Sequence, residues 1–169
     1  MRPKNLRDTL LHALWIALAI SAASLPEVWA QNGAYLTLDG AVNTPLMLSE
    51  ADFRALPRTS LHVTDAMGRD HTYEGVSLAA LLQKAGVPIK SQLRGVDAAK
   101  YVHAEATDNY VAVFALPELD NNDFLVADTA DGEKLAERDG PLEIISPNET
   151  RRSRWVKHIV LLRVMMSKK

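Results

Sequence analysis

Short runs in which apolar and polar residues alternate, each closed by a turn pair, recur along this chain and set the terms of its fold. In "AYLTLDG" the alternation runs into Asp39-Gly40, which predicts a strand at Ala34–Leu38. In "KYVHAEATDNYVAVFALPEL" Tyr101, His103 and Glu105 take one side of a strand, and Val102, Ala104 and Ala106 the other. Asp108-Asn109 supplies the turn, because asparagine tolerates positive φ, and Tyr110 to Phe114 returns as the partner strand. "FLVADTADGEKL" repeats the device with a turn at Asp131-Gly132, and "SLHVTDAMGRDHTYEG" reads as a hairpin turning near Met67-Gly68. "PLEIISP" and "SRWVKHIVLLRVMM" are the closing strands.

Helical signals are few. "LSEADFRALP" opens with Ser49 and places Asp52 three residues later, a capping box with aspartate in the usual glutamate place. The short helix that follows stops before Pro57. "VSLAALLQKAGVP" is a helix capped by Ser77, with Leu78, Leu81 and Leu82 on one face; Gly86 ends it and Pro88 blocks continuation. There is no internal repeat and no linker. Many strands with two or three short helices give an α+β domain.

The first thirty residues have the three parts of a secretory signal. Arg2, Lys4 and Arg7 form a basic start, the run "LLHALWIALAISAASL" is mostly apolar, and Val28-Trp29-Ala30 presents a cleavage site. The competing reading is an uncleaved anchor, but the apolar run is short against the ~20 residues of a full span. The expectation is therefore a signal peptide at 1–30, a single domain at 31–169, a periplasmic or secreted location, and no membrane span after cleavage. The chain has no cysteine, so neither disulfides nor thiolate metal sites are available. Residues 31 to 150 carry 9 basic and 19 acidic side chains, whereas everything after Glu149 is basic or neutral, with seven positive charges. Such asymmetry marks an anion or partner site, or neutralises an acidic body. The nearly neutral total, -2, excludes general nucleic-acid binding.

Three segments occur in a telling order: "HTYEGVSLAALLQKAGVP", "ATDNYVAVFALPEL" and "DGEKLAERDGPLEIISPNETRRSRWVKHI". From about Leu36 to Val164 the chain resembles the sulfite-oxidase-type molybdopterin-binding domain, and most closely its small, exported, single-domain members. The resemblance implies mixed β-sheets and a few short helices framing a cofactor cleft. It also implies, for the full enzymes, a molybdenum held by a pterin dithiolene and one cysteine.

This chain departs from that pattern twice. The stretch Leu61 to Asp65, where the resemblance puts the cysteine ligand, has none, and Asp65 offers a hard oxygen where a soft thiolate suits the metal. The start "MRPKNLR" lacks an arginine pair, so it looks like a general secretory signal, which moves unfolded chains. Molybdopterin enzymes of this family are usually loaded in the cytoplasm and exported folded. The expectation is a protein without metal and without the molybdenum centre, binding a small anionic ligand or a protein partner. The alternative is a molybdopterin-dependent oxidoreductase, or a redox-system subunit, that holds the cofactor without a cysteine. No catalytic residue is assigned.

The candidate ligand residues are Arg151, Arg152, Arg154, Trp155, Lys157, Asp108 and Tyr110. The resemblance gives the segment Ser146 to Lys157 cationic and backbone contacts to the pterin phosphate. Arginine forks suit phosphate or carboxylate, and Trp155 can stack on a flat ring or a guanidinium. The other reading is a wet strand edge with Trp155 in the core. A strand regular from Arg152 onward puts Arg152 and Arg154 on one side, with Trp155 and Lys157 on the other. Asp108 and Tyr110 match a family Asp-Gly-Tyr motif in which Asn109 replaces the glycine, and they are either cleft lining or turn and packing residues. His62 and His71 can face each other across the first hairpin, but two imidazoles without a third ligand make no strong metal site.

Overall fold

The computed structural model describes residues 33 to 167, apart from 66, 122 and 147 to 151. The leader expected at 1–30 and Arg151 therefore lie outside the described residues. Among those described, the strands are β1 (Leu36–Gly40), β2 (Leu46–Leu48), β3 (Thr59–Thr64), β4 (Asp70–Ser77), β5 (Lys100–Ala106), β6 (Val111–Ala115), β7 (Leu125–Ala130), β8 (Glu133–Lys134), β9 (Glu143–Ile145) and β10 (Ile159–Met166). Two short α-helices, α1 (Glu50–Arg54) and α2 (Leu78–Lys84), complete a mixed, mostly β architecture.

One sheet runs β2-β1-β10-β5-β6. Its β1 and β10 are parallel, and β10 is antiparallel to β5, so the last strand in sequence lies in the middle of the sheet. The first strand extends to Gly40 rather than stopping at Leu38, because its ladder with β10 continues through Gly40 and Val164. That closeness requires the glycine: at φ 90°, a Cβ on Gly40 would stand 2.2 Å from the Val164 carbonyl oxygen. The turn after β5 forms as expected, with Asn109 at φ 66°.

The second sheet runs β3-β4-β7-β8, and β9 pairs with the other edge of β7's run at Leu125 to Ala127. Its two faces differ. Val76, Val126 and Ile144 join the main core, where they meet the buried side of the first sheet, Phe53 of α1 and the leucines of α2. Val63, Leu125, Ala127, Ile145 and Trp155 form a smaller cluster on the opposite face. The α1 capping box is present: Ser49 Oγ accepts from the Asp52 amide at 3.1 Å, and Asp52 Oδ2 accepts from the Ser49 amide at 3.2 Å. Ser77 stands at the start of α2 without a side-chain capping bond, and the Leu78 amide donates to the Phe124 carbonyl at 2.9 Å.

The closing segment differs from the regular strand expected from Arg152 onward. Arg152–Arg154 is a 3-10 turn, in which the Trp155 amide donates to the Arg152 carbonyl at 3.0 Å. A single bridge, Glu143 to Lys157, follows, and β10 begins only after His158, at φ 51°. The turn wins because it drives the Trp155 ring into the smaller cluster and Val156 into the main core. No helix among the described residues is long and apolar enough to cross a membrane.

Candidate functional site: a cleft beside Trp155

Above the smaller cluster the surface opens into a cavity of about 640 Å³. Four segments frame it: the β3–β4 hairpin, the β7–β8 turn, the loop 135–141 and the segment 152–157. Its aromatic wall is Trp155, 6 % exposed, with Tyr73 edge-on at 5.7 Å between centroids. The indole Nε1 donates to the Ser146 carbonyl at 2.8 Å, which fixes the ring. Arg152 lies over that ring, its guanidinium carbon 4.3 Å from the centroid. No carboxylate pairs with Arg152 among the described residues.

Around the mouth, charges are matched. Asp65 accepts the backbone amides of Met67 and Arg69 at 2.8 and 2.9 Å and the Arg69 guanidinium at 2.7 Å. The Arg69 amide, foremost, holds the Asp65 carboxyl well below the usual carboxylate range. His71 Nδ1 meets Asp131 Oδ2 at 2.7 Å, and this hydrogen bond raises the imidazole and lowers the carboxyl. Lys157 Nζ donates to Asp139 Oδ1 at 2.5 Å.

Glu143 is the exception. It lines the cavity, is 4 % exposed, and has no side-chain hydrogen bond or ion pair among the described residues. Burial pushes its carboxyl up to about 7, against the pull of the Lys157 charge. Sequence reasoning missed it; the available signal was one acid inside the apolar strand "PLEIISP".

The structure splits the residues expected to act together. Arg152, Trp155 and Lys157 line the cavity. Arg154 does not share a side with Arg152: it pairs with Glu118 at 2.7 Å and lies 4.6 Å over the Phe114 ring. The 3-10 turn is the cause, because its tighter winding breaks the alternation of a strand. Asp108 and Tyr110 lie outside the cavity. Asp108 Oδ1 accepts from the Tyr110 amide at 3.0 Å within the turn, and the Tyr110 hydroxyl donates to the Ser153 carbonyl, bracing the 3-10 turn from behind. His62 and His71 do not face each other. The register sets His62 opposite Thr72 and His71 opposite Val63, one residue out of step and so on opposite faces. No group of three or more His, Cys, Asp or Glu suited to a metal ion occurs among the described residues.

The order of segments that frames this cleft is matched, over residues 23–169, by the model of the oxidoreductase molybdopterin binding domain. The chain belongs to that family. Its fold is similar to that of the sulfane dehydrogenase SoxCD from Paracoccus pantotrophus, with a TM-score of 0.62 and 23% sequence identity. The likeness covers 76% of this chain and 37% of the SoxCD chain, so this protein spans little more than a third of that relative. No curated protein matches the sequence. The family binds molybdopterin, but the donors here do not fit a thiolate-held molybdenum centre. The chain has no cysteine, and the oxygens of Asp65, in the stretch where the cysteine is expected, are already taken by two amides and a guanidinium.

Proposed function

We propose that this member of the molybdopterin-binding family is an exported binding module. Its cleft takes a small anionic ligand, free or carried by a protein partner, without a molybdenum centre. One observation carries the reading: Arg152, unpaired among the described residues, lies on Trp155 at the cavity, with Lys157 beside it. The stacked ring presents the guanidinium edge as a preorganised fork for a carboxylate or phosphate. The basic, apolar, small-residue leader at 1–30 supports a periplasmic or secreted location.

Titration calorimetry with phenyl phosphate and succinate tests the cleft. A charge-assisted hydrogen bond contributes about 1.5–3 kcal/mol, and 1.4 kcal/mol is about one decade. Arg152→Ala therefore weakens binding by roughly tenfold or more; unchanged affinity removes the reading. The second reading, an oxidoreductase or redox-system subunit, draws on the family match itself. Molybdenum and pterin analysis, with the N-terminal mass, of protein taken from its native compartment separates the two. Well under one molybdenum per chain that begins at Gln31 supports the module; stoichiometric molybdenum with a pterin establishes the enzyme.

A further inference from the structure

Glu143 opens β9 directly opposite Ala127 of β7 and shares a face with Ile145, the face of the smaller cluster beneath the cleft. The residue is 4 % exposed and on the cavity wall, yet no donor from the described residues reaches its carboxyl. An ionised carboxyl in such a place is unfavourable unless something hydrogen-bonds to it. The charged groups acting on it are Lys157 across the single bridge, Arg152 from the 3-10 turn and Asp139 from the loop before β9. Tyr73 faces it from β4, and β7 contributes only Ala127. Lys157 is already engaged by Asp139. The balance is thus two cations against one fixed anion, with room for one further negative charge and a vacant donor position.

We propose that Glu143 enters the ligand complex as a neutral acid: its O–H donates to one oxygen of an ionised oxyanion whose other oxygens meet Arg152 and Lys157. An anion that arrives while Glu143 is ionised then brings one proton from solvent, which ends on the Glu143 carboxyl. The ligand and Glu143 are then never both negative. The raised carboxyl, near 7, makes that proton available at neutral pH. This rests on the anion-binding reading of the cleft and adds to it the ligand's protonation requirement.

Benzenesulfonate is a suitable probe, because its own charge is fixed throughout the range. Calorimetry in buffers of different ionisation enthalpy reads both affinity and proton uptake. The expected result is binding about tenfold or more weaker near pH 8.5 than near pH 6, with about one proton taken up per anion at the higher pH. Glu143→Gln flattens the profile, since its amide donates N–H at every pH. His71→Gln keeps the wild-type slope, which excludes the rim imidazole as the source. If binding needs Arg152 but neither varies with pH nor takes up a proton, the Glu143 proposal fails and the cleft reading stands. A Glu143→Gln variant with the wild-type slope overturns it equally. Absence of benzenesulfonate binding at every pH overturns both.

Discussion

Asp128 and Glu143 are buried almost alike, 1 % and 4 % exposed, on strands that pair with each other. Their surroundings are opposite. Asp128 is met by the Arg58 guanidinium and by Arg54 at 3.4 Å, and Thr129 Oγ1 donates to it at 3.1 Å. Glu143, one position out of register and therefore on the other face, has cations nearby but no donor in reach among the described residues. Where the fold needs a carboxylate for itself, it draws arginines from α1 and the segment after it. Where it leaves one without donors, beside a cavity, burial instead raises the carboxyl toward its neutral form. Stripping the partners from a buried charge is strongly destabilising, so Asp128 depends on its arginines, whereas Glu143 avoids that cost by favouring its neutral form.

Three tests sharpen or break that contrast. The largest effect is expected from removing both partners of Asp128. Arg54→Ala with Arg58→Ala strands a buried charge and lowers stability by about 3–5 kcal/mol in urea unfolding. A loss within about 1 kcal/mol means Asp128 needs no partners, and the contrast collapses.

Next is Glu143→Gln, which acts in the other direction. The folded carboxyl sits near 7 and the unfolded one at the ordinary 4.5. The folded state therefore holds a proton that the unfolded state has released, and wild-type stability falls as pH rises through that interval. At about 1.4 kcal/mol per unit, the variant gains up to about 3 kcal/mol over wild type near pH 8 and nothing near pH 4. Thermal melts at both pH values measure it; equal stability at the higher pH places Glu143 in water.

The smallest effect separates neighbouring arginines. Arg154→Ala loses its pair with Glu118 and its contact with Phe114, about 1.5–3 kcal/mol of stability, and leaves anion affinity unchanged. Arg152→Ala does the reverse. Equal behaviour of the two would mean that the 3-10 turn does not sort them.

What was legible in the sequence was local. Ser49 with Asp52, Asn109 and the Asp131-Gly132 pair act within a few residues, and each forms as read. The order of motifs carried the family and the fold. The cleft was only half legible, because "RRSRWVK" reads identically as a strand edge and as a turn; what decides is where Trp155 and Glu118 lie in space. Glu143 showed only as an acid in an apolar strand, for a related reason. An acid in a three-residue strand carries no mark of which face the register turns toward the cavity. Arg58 and Asp128 are seventy positions apart, and no local pattern connects them.

The place of β10 has a consequence for the order of assembly. The strand that joins β1 to β5 follows both in sequence, so until Ile159–Met166 is available the first sheet exists only as two separate hairpins, β1–β2 and β5–β6. The first would show Leu36 and Leu38 to water, the second Val102 and Phe114. Such non-local closure slows the formation of this sheet. β10 is thus the keystone of the first sheet: once it seats between β1 and β5, the two hairpins lock together in one step.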